Sequence, residues 1–180
     1  FIPVLQIKNK HLVKTIQFTP SRYLGDPLNA VRIFNLKGVS ELIITDISAT
    51  KNKVIDFDLL EKISAQAFVH GNMIITCCGS LKNVSNTNLK EIIKSFLKIG
   101  VGEIFLHDID RDGTYKGLDL DVIRYVSTLS SVPVIGCGGA KSLNDMDAGI
   151  NAGASGIAAG SLFSFYGKHR AVLINYGGIC

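Results

Sequence analysis

Three aspartates stand within five positions, directly after an apolar run, and they are the side chains best suited to chemistry. Asp108, Asp110 and Asp112 belong to the segment EIFLHDIDRDGT. Carboxylates held this close repel one another, and the repulsion can raise a pKa into the range used for general acid–base catalysis. Gly113 then lets backbone N–H groups turn toward a ligand. The same pattern also suits a polar turn capped by aspartates, and the motif alone leaves both interpretations open.

Two turns of small residues predict an anion-binding site. Residues 136–139 (GCGG) and 158–161 (AAGS) each follow an apolar segment, and each can open onto the N-terminus of a helix. Small residues allow close approach to the backbone, and exposed N–H groups together with the helix dipole favour anions. A single glycine pair is a weak signal. Two such turns after consecutive strands match the phosphate site that barrel enzymes form with their last two strand loops.

The histidines and cysteines indicate no metal, disulfide or nucleophilic chemistry. His107 lies inside an apolar segment, His169 belongs to a basic patch that suits a solvated surface, and no Ser-His-Asp or Cys-His set can be assigned. The four cysteines show no CxxC spacing, so reduced thiols of a cytoplasmic protein are expected. We therefore expect no metal and no cofactor.

An internal repeat predicts the elements that position these residues. Residues 39–49 (VSELIITDISA) and 101–111 (VGEIFLHDIDR) share a small residue, a Glu, an apolar run, an Asp, an Ile and a polar loop. Such apolar runs are typical of strands buried on both faces of a parallel sheet. Ligands bind at the carboxyl ends of these strands, where Asp46 and the three aspartates of the second copy fall.

The rest of the chain alternates between predicted strands and helices, which favours an α/β fold with a parallel sheet. Asp26 and Pro27 suit the N-cap and first position of a helix that ends at Gly38. The other predicted strands are 2–7, 41–47, 103–109, 132–139 and 155–161, with extended chain over 12–18, and the other helices are 56–67, 89–99, 119–129 and 142–151.

Composition limits the class of protein. With 180 residues, 47% hydrophobic and 19% charged, the chain suits one well-cored globular domain. No segment approaches the roughly 18 consecutive apolar residues of a membrane span. The net charge of +4 comes from scattered Lys and Arg, so nucleic acid is not an expected partner, whereas a phosphorylated small molecule is compatible.

Six segments resemble the cyclase subunit of imidazole glycerol phosphate synthase, a (βα)8 TIM barrel of histidine biosynthesis. They are IPVLQIKNKHLVK, GDPLNAVRIF, ELIITDISA, GEIFLHDIDRDGTYKGLDL, PVIGCGGA and AAGSLFSF. DIDRDGT is the most specific of them. The resemblance implies a single barrel over residues 1–180, a phosphorylated substrate, and a heterodimer with a glutaminase subunit that supplies ammonia.

The resemblance also implies roles for individual residues. One of the family's two phosphate sites would be formed by Asp112, Gly113, Gly139, Gly160 and Ser161. Lys14 matches a lysine of the mobile first loop. Glu41 and Glu103 match residues at the opposite end of the barrel, where ammonia enters from the glutaminase.

Two departures from the family pattern bear on activity. Gln6 stands where the family has its first catalytic aspartate, and an amide cannot act as a general acid or base. The second catalytic aspartate, on the fifth strand, has no counterpart. Barrel halves should repeat at about half of ~250 residues, but the observed offset is 62. We therefore expect that about 60 residues, strands three to five, are missing at a discontinuity near 69–70, and that the chain is a partial record of a longer protein.

Gln6 and the tail GSLFSFYGKHRAVLINY resemble the cyclase-like proteins encoded with lipopolysaccharide genes. The resemblance implies a subunit that takes ammonia from a glutaminase for acetamidino-sugar synthesis. Two alternatives stay open: the cyclase of histidine biosynthesis itself, and a non-catalytic scaffold that only binds a partner.

Overall fold

The computed structural model describes residues 1–52, 54, 56–66, 72–75 and 86–176. Contacts divide the chain into two compact units. The first, here called the N-terminal unit, comprises Ile2–Cys78 and Ala159–Cys180; the second, the central unit, comprises Gly79–Ala158 and Phe1. The predicted discontinuity near 69–70 lies outside the described residues.

Strands and helices alternate along most of the described chain. In order they are β1 (Ile2–Lys8), β2 (His11–Thr15), β3 (Ser21–Gly25), α1 (Pro27–Leu36), β4 (Glu41–Asp46), α2 (Ala49–Asn52), α3 (Phe57–Gln66), β5 (Asn72–Ile75), α4 (Asn86–Ile99), β6 (Ile104–His107), α5 (Leu120–Leu129), β7 (Val134–Cys137), α6 (Leu143–Asn151), β8 (Gly156–Ala159), α7 (Ser161–Ser164), β9 (Phe165–Tyr166) and β10 (Ala171–Val172). Among the described helices, none combines the length and apolar character needed to cross a bilayer.

The N-terminal unit is built around β1, which is buried from Ile2 to Ile7. This strand pairs in parallel with β4, and β4 pairs in parallel with β5. On its other side β1 pairs antiparallel with β2, and β2 with β3. Asn9 and Lys10 join β1 to β2 with φ of 49° and 68°, the two positive values that a type I′ hairpin turn requires. The predicted extended segment 12–18 thus becomes β2, which ends at Thr15.

Helix α1 begins and ends as its sequence predicts. The Asp26 carboxylate accepts a hydrogen bond from the Asn29 N–H at 2.8 Å, and Pro27 occupies the first turn. Gly38 follows the helix with φ of 73°, a conformation that costs glycine little. The buried face consists of Pro27, Ala30, Val31 and Phe34.

The central unit contains the parallel strands β6, β7 and β8. A core cluster of Ile93, Ile104, Val126 and Val134 joins α4 and α5 to the sheet. The Asp119 and Ser142 side chains cap α5 and α6 by accepting hydrogen bonds from backbone N–H groups. The α/β class is therefore confirmed, and the parallel pairing within each unit is consistent with the (βα)8 barrel class.

Asp56 connects the N-cap of α3 to the β1–β2 turn. Its carboxylate accepts a hydrogen bond from the Leu59 N–H at 3.0 Å and lies 3.1 Å from the Lys10 ammonium. The Leu59 hydrogen bond first, and then Lys10, hold the pKa of Asp56 below its usual 3.8. Because the folded pKa is depressed, the stabilisation is present above 3.8 and is lost as the pH falls through the folded value.

We expect Asp56→Asn to lower the free energy of unfolding at neutral pH, because an amide loses the charge-assisted contacts with Leu59 and Lys10. The difference from the unsubstituted protein should shrink as the pH falls below 3.8. Urea unfolding at several pH values measures it. Asp58→Asn removes the same charge from the first turn of α3 without removing this cap, and serves as the control. A difference that stays constant down to acid pH would contradict the assignment.

Candidate functional site

Gln6 is the buried polar centre of the N-terminal unit, with 1% of its surface exposed. Its Oε1 accepts hydrogen bonds from Thr15 N–H at 3.1 Å, Thr15 Oγ1 at 3.0 Å and Lys14 Nζ at 3.3 Å. All three donors come from the neighbouring strand β2. An amide oxygen accepts hydrogen bonds well but neither takes up nor releases a proton near neutral pH. Gln6 therefore anchors donors and supplies no acid–base catalysis.

Lys14 is a buried lysine that lies between Gln6 and Gly160. Only 5% of the residue is exposed, and lysines are rarely this buried unless they are paired. A Cβ built on Gly160 would lie 3.3 Å from Lys14 Cε and 3.3 Å from the Val4 carbonyl oxygen. The absence of a side chain at 160 thus makes room for the lysine. The resemblance implied a mobile loop for Lys14, whereas the structure places it in β2.

Ser161 is buried and begins α7, a helix of four residues. At the other predicted turn, α6 begins only at Leu143, with Ser142 as its cap. The helix macrodipole acts over the first turn and grows with aligned peptide units. No long helix starts directly at Gly139 or Gly160. The groups that suit an anion are therefore the backbone N–H groups of the two turns.

The three aspartates after β6 differ in burial and in the contacts described for them. Asp108 Oδ1 accepts hydrogen bonds from the N–H groups of Asp110 and Arg111 at 3.0 and 3.1 Å, and its Oδ2 lies 3.2 Å from Arg111 Nε. Asp110 is exposed. Asp112 is buried, with Oδ1 3.4 Å from Nε2 of the equally buried His107. In these contacts Asp108 thus pairs with Arg111 and its own loop backbone, whereas Asp112 faces His107.

Asp46 and Asp108, which occupy matching positions in the internal repeat, form the same local turn. Asp46 Oδ1 accepts hydrogen bonds from the N–H groups of Ser48 and Ala49, two and three residues further along the chain. Asp108 does the same with Asp110 and Arg111. Aspartate is favoured in such turns because its short carboxylate reaches these N–H groups. The repeated aspartate is therefore a turn-forming residue.

Arg111 holds the loop after β6 together. Its Nη1 donates a hydrogen bond to the Gly117 carbonyl oxygen at 3.3 Å, and its Nη2 lies 3.6 Å from the Asp119 carboxylate. The planar guanidinium can serve several oxygens at once. Sequence reasoning missed this residue and left His107 without a role. The sequence feature that could have pointed to them is the place of Arg111 within the run of three aspartates and of His107 directly before it.

Gly139 allows two backbone segments to touch. The Gly117 N–H donates to the Gly139 carbonyl oxygen at 2.9 Å. A Cβ on Gly139 would lie 2.4 Å from the Gly117 carbonyl oxygen, and its φ is 91°. Gly113, within the loop itself, is buried and has φ of 71°. Two of the three predicted phosphate-site glycines, Gly113 and Gly139, thus adopt backbone conformations that favour glycine.

Glu41 and Glu103 lie at the amino ends of strands. Glu41 is the first residue of β4, and Glu103 directly precedes β6. The aspartates of the repeat lie at the opposite, carboxyl ends. Burial, and secondarily the Glu41 carboxylate, raises the pKa of Tyr176. Among the described residues, no group of three or more His, Cys, Asp and Glu side chains could hold a metal ion.

A family model described as histidine biosynthesis protein matches residues 1–79 and 75–170. The chain belongs to this family. It is 34% identical over 238 residues to a protein of Leptospira borgpetersenii provisionally named imidazole glycerol phosphate synthase subunit HisF, covering 97% of this chain and 93% of that one. A Pseudomonas aeruginosa protein with a similar provisional name is 34% identical over 236 residues, covering 97% and 94%. The chain is therefore a HisF-like member of the family that contains the cyclase subunit of imidazole glycerol phosphate synthase.

The alignments with these relatives are longer than this chain. The alignment with the Leptospira protein runs over 238 residues, which exceeds the 180 of the chain by 58. At least 58 aligned positions therefore have no residue here. A HisF subunit of Streptomyces coelicolor is 27% identical over 224 residues, covering 91% of this chain and 89% of that one. This alignment is also longer than the chain. The position of the gap near 69–70 stays a prediction.

We expect Gly139→Ala to lower the free energy of unfolding by about 2 to 4 kcal/mol, because it combines a strained backbone with an overpacked contact. Chemical denaturation measures this value. Gly102→Ala is the matched control, since nothing lies within 4 Å of a Cβ there; its effect should stay within about 0.5 kcal/mol. Equal effects of the two substitutions would show that the contact with Gly117 does not constrain the loop.

Proposed function

We propose that this chain is the synthase subunit of a glutamine-dependent amidotransferase that receives ammonia from a glutaminase partner. In this proposal it acts in acetamidino-sugar formation for lipopolysaccharide. The observation that carries the proposal is Gln6, whose amide oxygen is engaged by Lys14 and Thr15 at the place where the cyclase has a catalytic carboxylate. A subunit that delivers ammonia to an electrophilic carbon does not need that carboxylate, whereas cyclisation by the family route does.

Anion binding in this proposal rests on different groups in each unit. In the N-terminal unit, the buried Lys14 ammonium supplies positive charge beside Gly160, and Ser161 adds a hydroxyl and an N–H. In the central unit, Gly113 and Gly139 supply backbone N–H groups, and Asp112 contributes by holding the loop against His107. A phosphorylated sugar or ribotide is the class of ligand that these groups suit.

Glu41 and Glu103 are proposed to guide ammonia and to contact the glutaminase. Both lie at strand amino ends, away from the strand ends that carry the anion-binding turns. Carboxylates attract ammonium and lower the barrier to its desolvation at a channel entrance. The Pseudomonas and Leptospira relatives are named as synthase subunits, and such a subunit implies a partner that supplies nitrogen.

The second candidate function is the cyclase of histidine biosynthesis itself. The names of the relatives favour it, including the Streptomyces coelicolor HisF subunit. Gln6 argues against it, because the amide cannot exchange protons with the substrate. A scaffold without catalysis is the third candidate, and it needs no anion site.

Deletion of the gene in its host distinguishes the first two functions. We expect a deletion strain to grow without histidine and to produce lipopolysaccharide whose sugar carries an acetamido group in place of the acetamidino group, measured by mass spectrometry. The full protein, supplied with a glutaminase, should not restore growth of a histidine-requiring strain that lacks its cyclase. Restored growth, or an unchanged lipopolysaccharide, would refute the proposal.

Phosphate binding distinguishes the enzyme from the scaffold. We expect Ser161→Asp to weaken inorganic phosphate binding at least about tenfold, because an added carboxylate repels the anion at short range. Calorimetric titration measures the affinity, with thermal unfolding to confirm the fold. Ser155→Asp introduces the same charge at an exposed position before β8 and is the control. If the unsubstituted protein binds no phosphate, or both variants bind it equally well, the anion site is disproved.

A further inference from the structure

The chain after α7 folds back on itself as an antiparallel ribbon. Strands β9 and β10 pair so that Phe165 opposes Val172. Beyond them, the Leu173 N–H donates to the Ser164 carbonyl oxygen at 3.0 Å, and the Asn175 N–H donates to the Phe163 carbonyl oxygen at 2.9 Å. We call residues 163–176 the C-terminal ribbon. Its first residues belong to α7, so the ribbon and Gly160 are only three residues apart.

Arg22 joins this ribbon to the β2–β3 hairpin. Its Nη1 donates a hydrogen bond to the Arg170 carbonyl oxygen at 3.2 Å. Its Cζ lies 5.2 Å from the centroid of the Phe165 ring, within the range of a cation–π contact. One guanidinium thus contacts the Phe165 ring on β9 and the backbone of Arg170, directly before β10.

The strand register connects Arg22 to Lys14. Lys14 and Arg22 are directly opposite in the antiparallel pairing of β2 and β3, so their side chains project from the same face of the hairpin. Lys14 reaches the Gln6 amide oxygen and packs against Gly160, while Arg22 reaches the ribbon. The strand that carries Lys14 and the glycine that makes room for it are therefore both tied to the ribbon.

We propose that Arg22 is a positioning residue, which clamps the C-terminal ribbon onto the β2–β3 hairpin and thereby holds the Lys14 ammonium at Gln6. Without the clamp, the β2–β3 hairpin and the ribbon lose the two contacts of Arg22, with the Arg170 carbonyl oxygen and the Phe165 ring. The buried slot of Lys14 then widens. The clamp is expected to affect both the position of the Lys14 ammonium and the affinity for ligand. Only the effect on affinity rests on the proposed role of Lys14 in anion binding.

The test observes Lys14 directly in the full protein. Lysine labelled with ¹³C at Cε gives a resonance for Lys14 that Lys14→Arg assigns by its loss. We expect Arg22→Ala to shift or broaden this resonance and to weaken inorganic phosphate binding about fivefold, an effect of the size expected for losing one cation–π contact and one hydrogen bond. Arg22→Lys keeps a charge and a donor and should restore part of both readouts.

Two further variants make the result decisive. Arg32→Ala removes the same charge from an exposed position on α1 and should leave the Lys14 resonance unchanged. If Arg22→Ala does not fold, Phe165→Leu removes only the ring contact, and it should give a smaller shift of the same resonance. An unchanged Lys14 resonance in a folded Arg22→Ala protein, or in Phe165→Leu when Arg22→Ala does not fold, overturns the proposal.

The outcomes also separate the clamp from the proposed function. If the Lys14 resonance responds to Arg22→Ala but the unsubstituted protein binds no phosphate, the clamp stands and the anion site fails. If phosphate binds but neither readout responds to Arg22→Ala, the site stands and the clamp fails.

Discussion

The N-terminal unit depends on the burial of one lysine ammonium against an amide oxygen. Removing an ammonium from water is costly, and in a protein interior the cost is offset only by close partners. One such partner is the side chain of Gln6, whose amide oxygen also accepts two hydrogen bonds from Thr15. Much else in this unit serves that arrangement: the tight Asn9-Lys10 turn brings β2 beside β1, and the missing side chain at Gly160 leaves space for the lysine.

The central unit depends on a different device, the close approach of backbone to backbone. Gly138 lies against the Asp108 carbonyl oxygen, and Gly139 against that of Gly117. These contacts hold the loop after β6 to the turn after β7, while Arg111 ties the loop's own ends together. Such a loop is stiff without being apolar. Stiffness is useful in an anion site, because N–H groups fixed in advance lose little freedom when the ligand binds.

Local features of the fold were predictable from the sequence, and contacts between distant side chains were not. Asp26 with Pro27, the two strands of the repeat and the α/β class follow from capping chemistry and apolar periodicity, although only β4 is buried along most of its length and β6 is buried at Ile104 alone. In the carboxylate cluster, the sequence shows three like charges but does not show that the side chain of Arg111 lies against Asp108. The contact of Arg22 with the backbone of Arg170 joins residues 148 positions apart, and no local pattern reports such a separation.

In the proposed function, an amide where the cyclase has a carboxylate, at position 6, has opposite effects on structure and on chemistry. Asp and Gln both present an oxygen that can accept from Lys14 and Thr15, so the hairpin can be held by either. The amide, however, carries no charge. The ammonium beside it therefore attracts a nearby anion more strongly than it would beside a carboxylate, which would cancel part of its positive charge. Loss of acid–base chemistry and gain of attraction for anions are therefore two consequences of one substitution. The proposed function, ammonia transfer to a phosphorylated sugar, would use the attraction for anions and would not need the acid–base chemistry.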